Sequence, residues 1–149
     1  MSENGTLLIR PLAEQDLDQV LLVEQASFPV PWRREHFLHE ITTPHSFPFA
    51  AVADGVIVGY LCLHVLFETA EILDVAVAPE RRGEGIAKLL LEHAEETARS
   101  LGAEQIVLEV RASNHAALAL YENIGFVRSG IRKQYYEGTE DAVLMEKRL

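Results

Sequence analysis

The segment LDVAVAPERRGEGIA, residues 73–87, constrains the fold of this chain more than any other part of its sequence. The apolar run at residues 75–78 is typical of a strand buried on both faces, and Pro79 ends that run because proline cannot donate to a sheet. Gly83 and Gly85 follow shortly after, and glycine lets the backbone turn tightly and approach a ligand closely. A buried strand is therefore expected to lead through a glycine turn into the next element.

An amphipathic helix is predicted to begin at Arg82 and to end at Gly102, a typical C-terminal stop. Its apolar face at helical spacing consists of Ile86, Leu89, Leu90, His93, Ala94, Thr97 and Leu101. The N–H groups in the first turn of a helix have no partner within the helix, and the helix dipole adds to their attraction for negative charge. The glycine turn and the helix start therefore predict a cradle for an anion.

Residues 105–111 alternate apolar and polar side chains and are predicted to form the next strand. A strand, a crossover helix and a second strand in one sheet give a parallel pair. Asp54 and Gly55 are a two-residue hairpin signal, which predicts antiparallel strands at residues 49–53 and 56–65.

Two helices are expected before this hairpin, separated by the prolines of FPVPW at residues 28–32. A strand at residues 7–10 precedes them, and strands at residues 126–135 and 142–147 end the chain after a short helix. The marker residues are Leu17, Val20, Leu21, Val23 and Glu24 for the first helix, Phe37, Leu38 and Ile41 for the second, and Ser113 or Asn114 as the cap of the last. The expected fold class is α+β, with a mixed sheet flanked by helices.

The composition, 48% hydrophobic and 24% charged over 149 residues, is typical of one folded domain, here predicted over residues 1–149. The N-terminal residues lack the features of a signal peptide and no stretch has about 18 apolar residues, so we expect a cytoplasmic protein without membrane association. A formal net charge of −10 disfavours nucleic-acid binding and favours a partner with a positive segment. Cys62 is expected to be a buried apolar residue, and the histidines show no spacing typical of a metal site.

Two polar residues stand in apolar surroundings and are candidates for chemistry. Glu109 lies in a predicted strand, where a carboxylate is costly unless it is paired or used. It is either part of a salt bridge, for instance with Arg111, or a general base. Tyr121 lies on the short helix and is either a core residue or a general acid. No Ser-His-Asp or Cys-His pattern indicates a covalent intermediate.

The order RGEGIA, residues 82–87, resembles the pyrophosphate-binding signature of the GNAT superfamily of N-acetyltransferases. Neither a nucleotide P-loop nor a dinucleotide-binding GxGxxG pattern fits these residues. EVRASN at residues 109–114, ALYENIGF at 119–126 and YYEGTEDAVLM at 135–145, together with FPVPW, extend the likeness over nearly the full chain. They resemble the RimI-type branch of this superfamily, which comprises bacterial ribosomal-protein-alanine N-acetyltransferases with archaeal and eukaryotic N-terminal acetyltransferase relatives.

The resemblance implies a site for acetyl-CoA and for the first residues of a protein substrate, with no metal. It implies direct transfer of the acetyl group, with Glu109 as the base and Tyr121 as the acid. The implied cofactor contacts are Val75, Ala76, Val77, Arg82, Gly83, Glu84, Gly85, Ile86, Ala87, Lys88 and Asn114. The residues implied to enclose the substrate, with core packing as the alternative role, are Phe28, Pro29, Tyr135 and Tyr136.

The pKa of an amine indicates in part which kind of amine would accept the acetyl group. An α-amine with a pKa near ~8 is partly neutral at cellular pH, whereas a lysine amine near ~10.4 is almost fully charged. A single Glu base therefore favours a protein N-terminus, and the resemblance implies the N-terminal alanine of a small-subunit ribosomal protein. The alternatives are a small-molecule or lysine acetyltransferase on the same fold, or a non-catalytic acyl-CoA-binding module. Glu84 departs from the usual signature, and we expect it to weaken cofactor binding unless it points to solvent.

Overall fold

The computed structural model of the protein describes residues 7–149. Seven strands and four helices follow one another in the order that the sequence predicts, and two short 3-10 turns lie at Glu14–Asp16 and Pro79–Arg81. In chain order the elements are β1 (Leu7–Pro11), α1 (Leu17–Ser27), α2 (Arg34–Thr42), β2 (Ser46–Ala53), β3 (Val56–Leu66), β4 (Thr69–Val77), α3 (Ile86–Ser100), β5 (Gln105–Arg111), α4 (His115–Asn123), β6 (Val127–Tyr136) and β7 (Glu140–Arg148).

All seven strands form one sheet in the order β1-β2-β3-β4-β5-β7-β6. Strands β4 and β5, which α3 connects, are parallel, and the other neighbouring pairs are antiparallel. The predicted hairpin at Asp54 and Gly55 and the predicted crossover unit are both confirmed. The fold is therefore α+β with a mixed sheet, as expected.

Each face of the sheet is covered by its own pair of helices. On one face, Leu17 and Val20 of α1 and Phe37 of α2 pack around Tyr60 of β3. On the other face, buried residues of α3 and α4 form the larger core with strands β2 to β5 and β7. Because successive strand residues point to opposite faces, strands β2, β3 and β4 contribute to both cores.

Helix α3 differs from its sequence prediction in its start and in the details of its apolar face. It begins at Ile86 rather than at Arg82, because Gly85 is its N-cap with a positive φ of 85°. Leu89 and Leu101, which were expected in the core, are 43% and 48% exposed, whereas Leu91 is almost fully buried. The buried stripe is therefore rotated slightly from the predicted one.

Strand β2 also begins three residues earlier than predicted, at Ser46, and it includes Pro48. The carbonyl of Pro48 accepts from the N–H of Leu12, so the Pro48 nitrogen faces the β1 side of the strand. Strand β1 ends opposite Phe49, so the missing N–H of Pro48 deprives no β1 residue of a sheet hydrogen bond.

The parallel pairing of β4 and β5 is short, and this shortness creates the cleft of the molecule. Pairing runs from Thr69 opposite Gln105 to Ile72 opposite Leu108 and stops there. At the same point the register between β3 and β4 shifts, which leaves Leu73 as a bulged residue. Since a bulge bends its strand, β4 turns away from β5 beyond Leu73, and the two strands separate.

The contact between α3 and β3 offers a test of this packing. A Cβ atom at Gly59 would lie 3.0 Å from the backbone oxygen of Ala76 and 3.2 Å from Cδ1 of Leu90. We expect Gly59→Ala to lower the free energy of unfolding by about 1–3 kcal/mol, measured by urea denaturation, because the neighbouring backbone cannot yield. Gly130→Ala is the matched control, since its Cβ would meet only the flexible side chain of Leu144, at 3.3 Å. Equal stability of the two variants would contradict the close approach of α3.

Candidate functional site

Two cavities open where β4 and β5 separate. The first, of about 490 Å³, lies against the glycine turn and the start of α3, and we call it the glycine-turn cavity. The second, of about 430 Å³, is lined by the carboxylates of Glu24, Asp74, Glu109 and Glu137, and we call it the acidic cavity. The two have opposite electrostatic character, because basic side chains line the first and carboxylates line the second.

The glycine-turn cavity combines backbone donors with basic side chains. Its lining from β4, the turn and α3 consists of Val75, Ala76, Val77, Arg81, Arg82, Gly83, Gly85, Ile86, Ala87, Lys88 and Leu91. Gly83 and Gly85 have φ values of +82° and +85°, and a Cβ atom at either would meet no atom within 4 Å. No side chain caps α3, so its first-turn N–H groups remain available to an anion. The turn therefore has the geometry expected of the predicted cradle, and anion binding there stays a prediction.

Arg82, the first residue of the cradle signature, is held between two elements. Its Nε donates to the carbonyl of Val77 over 3.1 Å, and its Nη2 donates to Oγ of Ser27 over 2.9 Å. Glu84, in contrast, does not line the cavity. Its carboxylate accepts from Nε of Arg81 over 2.9 Å, so its negative charge is paired with a basic residue of the cavity lining.

The acidic cavity is closed on one side by the segment between α1 and α2 and on another by the β6–β7 hairpin. Phe28, Val30, Pro31 and Trp32 come from the first of these, and Tyr136 and Glu137 from the second. Of the residues expected to enclose a substrate, Phe28 and Tyr136 line the cavity, whereas Pro29 and Tyr135 do not. Tyr135 is 49% exposed and contacts the ring of Tyr136 edge-on at 5.1 Å.

Glu109 lines the acidic cavity from β5, on the face opposite its buried neighbours Leu108 and Val110. Nε of Arg132 lies 2.6 Å from Oε2 of Glu109, although the two are not aligned as a hydrogen bond. Arg111, the partner considered from the sequence, instead contacts two hairpin carboxylates, those of Glu137 and Glu140, at 2.8 and 3.1 Å. Glu109 is thus both paired, with a different arginine, and exposed to the cavity.

Tyr136 lies close to both Arg111 and Glu109. Nearby, the guanidinium of Arg111 sits 4.3 Å above its ring. Burial raises the pKa of Tyr136 to about 12, and the charge of Glu109 adds to the shift. The hydroxyl group of Tyr136 is therefore neutral at physiological pH, and it gives the cavity a polar but uncharged group.

Tyr121 belongs to the wall that the two cavities share. The residues that line both are Phe28, Val75, Asn114, Ala117 and Tyr121. Tyr121 is only 7% exposed and packs against Phe126, with ring centroids 5.8 Å apart. Burial, with a contribution from Asp74, raises the pKa of the Tyr121 phenol well above its usual value. The phenol therefore keeps its proton throughout the neutral range and is available as an acid.

Asn114 has a structural task at this wall. Its Oδ1 accepts from the N–H of Ala117 over 3.1 Å and so caps α4, the helix that carries Tyr121. This cap fixes the start of α4 beside the glycine-turn cavity. Asn114 also lines both cavities, and its contact with a cofactor stays a prediction.

Two further carboxyl groups line the acidic cavity. Neither was assigned to the site from the sequence. Glu24 of α1 is 2% exposed, and its carboxylate accepts from the N–H of Trp32 over 2.9 Å and from the hydroxyl of Tyr60 over 2.7 Å. Asp74 of β4 is 8% exposed, and burial followed by its contact with Glu24 raises the pKa of Asp74 well above the usual range. The signal that singled out Glu109, a carboxylate within an apolar pattern, was present at both positions.

Residues 7–149 contain no group of three or more His, Cys, Asp or Glu side chains placed to hold a metal ion. Within the same range no helix is long and apolar enough to cross a membrane. Cys62 is fully buried, as expected, and burial raises the pKa of its thiol.

Known proteins resemble this chain in sequence and in fold. The acetyltransferase (GNAT) family model matches residues 17–126. The ribosomal protein bS18-alanine N-acetyltransferase of Escherichia coli is 33% identical over 140 residues, which cover 92% of this chain and 94% of the relative. An N-alpha-acetyltransferase of Saccharolobus solfataricus is 30% identical over 154 residues, which cover 95% and 92%.

The solved structures agree with the sequence comparison. The crystal structure of the ribosomal-protein-S18-alanine N-acetyltransferase from Escherichia coli superposes with a TM-score of 0.88 at 32% identity, covering 96% of this chain and 94% of that chain. The sheet, the cradle and the sequence likeness all lead to the same assignment. The protein is an N-acetyltransferase and belongs to the GNAT family.

Proposed function

We propose that this protein transfers the acetyl group of acetyl-CoA to the N-terminal amine of a protein, namely the N-terminal alanine of a small-subunit ribosomal protein in the cytoplasm. The observation that carries the proposal is the common wall at Tyr121 between a cavity suited to phosphates and a cavity suited to an amine. The named activities of the relatives from E. coli and S. solfataricus support the same reaction class.

Acetyl-CoA would bind in the glycine-turn cavity. The first-turn N–H groups of α3 and the side chains of Arg82 and Lys88 suit its pyrophosphate, which carries negative charge. Val75 lies at the common wall, where the β4 backbone beyond the bulge pairs with β3 but not with β5. Its groups on the β5 side can hold the thioester and polarise its carbonyl. The reacting carbon would then meet the acceptor at Tyr121.

The N-terminal segment of the protein substrate would occupy the acidic cavity. Its carboxylates favour a positively charged amino group, and the net charge of −10 favours a basic protein tail. Phe28 and Tyr136 provide the apolar surfaces for the first side chains of the substrate. The amine and the thioester would then approach each other from opposite sides of one wall.

In this reaction Glu109 would act as the base and Tyr121 as the acid. Glu109 removes the proton that the amine must lose, directly or through a water molecule. Tyr121 is protonated at neutral pH and donates its proton to the departing thiolate of coenzyme A. Because its raised pKa makes it a weaker acid, this transfer depends on a close hydrogen bond to the sulfur. The amine bonds to the acetyl carbon as the thioester bond breaks, so no covalent enzyme intermediate is needed.

The cradle can be tested at Gly85, where a side chain would project into space that the phosphates need. We expect Gly85→Val to abolish acetyl-CoA binding, measured by calorimetry, in a folded protein. Gly55→Val is the matched control, because Gly55 has the same kind of positive φ, +80°, in a hairpin turn outside both cavities. Undiminished affinity in folded Gly85→Val would remove the cradle from the proposal.

The role of Tyr121 can be tested by removing its hydroxyl while keeping its ring. We expect Tyr121→Phe to retain acetyl-CoA affinity and to lower kcat on the order of 10²-fold, because the thiolate loses its proton donor. Phe126→Leu disturbs packing around the same ring but leaves the hydroxyl, and its kcat should stay near the wild-type value. If both variants turn over like the wild type across the pH range, Tyr121 is a packing residue.

The acceptor and the base can be tested together with peptides. An alanine-initiated peptide should be acetylated only on its first nitrogen, and blocking that nitrogen should stop the reaction even when lysines are present. Glu109→Gln should depress the rate most at low pH and less towards pH ~9, where solvent deprotonates the amine. Glu122→Gln, an exposed carboxylate paired with Arg128, is the control and should leave the profile unchanged. Rapid acetylation of lysine with none at the terminus would instead indicate a lysine acetyltransferase.

A further inference from the structure

The two carboxylate oxygens of Glu109, the proposed base, have different surroundings. Nε of Arg132 lies 2.6 Å from Oε2, and Oε2 is buried. The side chain of Glu109 as a whole is 20% exposed and lines the acidic cavity. No group of residues 7–149 donates a hydrogen bond to Oε1, and Oε1 is not one of their buried oxygens without a partner. Oε2 is thus covered by a cation, and Oε1 is the oxygen left for the cavity.

Arg132 reaches Glu109 from outside both cavities. It belongs to β6 and lines neither the acidic cavity nor the glycine-turn cavity. Within residues 7–149 no other cationic side chain forms an ion pair with Glu109. Arg132 is therefore connected to the acceptor cavity by way of the base.

The ring of Tyr135 supports Arg132 in this position. The guanidinium lies 5.4 Å from the centroid of that ring, which is within the range of a cation–π contact. Residues three apart in a regular strand point to opposite faces. Between Arg132 and Tyr136, however, the register of β6 with β7 shifts, and Gln134 has a positive φ of 52°. This irregularity brings Tyr135 beside Arg132, as bulges re-aim side chains near active sites.

The same ring connects Arg132 to the wall of the acidic cavity. Tyr135 contacts the ring of Tyr136 edge-on at 5.1 Å, and Tyr136 lines the cavity. Contacts thus run from Tyr136, in the wall around the acceptor, to Arg132 and so to the base. Tyr135, which does not line the cavity itself, has a place in this arrangement behind the wall.

We propose that Arg132 is a positioning residue for the base: it holds Oε2 of Glu109 by charge, so that Oε1 is directed at the acceptor. This inference rests on the proposed function, since it assumes that Glu109 takes the proton. In that step an N–H bond of the acceptor ammonium breaks and the proton goes to Oε1, directly or through water. The electron pair left on the nitrogen then attacks the acetyl carbon. Arg132 itself forms and breaks no covalent bond.

The exposure of Arg132 separates this role from a role in folding. Its side chain is 58% exposed, and an ion pair with an exposed arginine contributes little to the free energy of folding, because water screens the charges. The rate of a reaction, in contrast, depends steeply on the placement of a catalytic group, to within a fraction of an ångström. Loss of Arg132 should therefore affect turnover more than stability.

The test is a double-mutant cycle on Arg132 and Glu109. Steady-state kinetics with an alanine-initiated peptide and acetyl-CoA give kcat and KM at the plateau of the pH profile. We expect Arg132→Gln to lower kcat about tenfold, with the peptide KM and the acetyl-CoA affinity within about twofold of the wild type. In a Glu109→Gln background the same substitution should change kcat by less than about twofold, because the base that it positions is absent.

Two further variants control for charge and for packing. Arg128→Gln is the matched control, because Arg128 lies on the same strand, is 54% exposed and forms an ion pair with Glu122 at 3.0 Å. Its kcat and its unfolding in urea should equal those of the wild type. Arg132→Lys should recover most of the lost turnover, since the contact with Glu109 is not a two-pronged hydrogen bond and an ammonium group can supply its charge.

Several results would overturn the positioning role. An equal loss of kcat in both backgrounds would mean that Arg132 acts independently of Glu109. An unchanged or raised kcat in Arg132→Gln would mean that the base needs no support or is restrained by it. A loss confined to the peptide KM would make Arg132 a binding residue, and a variant with lysine as slow as the one with glutamine would show that charge on Oε2 is not what the base requires.

The cycle also distinguishes this inference from the proposed function. If Glu109→Gln turns over like the wild type, Glu109 is not the base, and the proposed mechanism and the positioning role fail together. If Glu109→Gln is slow and the effect of Arg132→Gln is the same in both backgrounds, only the positioning role fails. If lysine proves to be the acceptor, the N-terminal assignment fails, and the same cycle measured with a lysine peptide decides the role of Arg132.

Discussion

The early end of the pairing between β4 and β5 is the constraint on which the rest of the site depends. A parallel pair that stayed in register to the ends of both strands would leave no space between them and no free backbone on β4. The bulge at Leu73 shifts the register with β3 in the same place, so the strand bends where its pairing with β5 stops. The cleft, both cavities and the exposed stretch of β4 backbone therefore have one geometric cause.

Electrostatics divides this cleft into two halves. The turn before α3 presents unpaired N–H groups and the side chains of Arg82 and Lys88, while the residues around Asp74 and Glu109 present oxygen atoms. Glu84 is the exception in the sequence, but it does not line the glycine-turn cavity, and its carboxylate is paired with Arg81. A basic lining and an acidic lining thus meet at a wall to which Tyr121 belongs.

The sequence predicted the elements that depend on local signals and missed those that depend on distant contacts. Proline, glycine and hydrophobic periodicity were sufficient for the hairpin and the crossover unit. The partner of Glu109 was not predictable in this way, because Arg132 reaches it from β6, whose pairing with β7 contains irregularities. The meeting of Asp74 with Glu24 was equally hidden, since a strand and a helix from distant parts of the chain bring them together.

The wall shared by the two cavities has a thermodynamic consequence. Phe28 and Tyr121 present one surface to each cavity, so a ligand that orders either side chain changes the surface that the other ligand meets. Linkage requires that such an effect be mutual: the factor by which one ligand changes the affinity for the second equals the factor by which the second changes the affinity for the first. Any coupling between two ligands that contact this wall therefore acts equally in both directions.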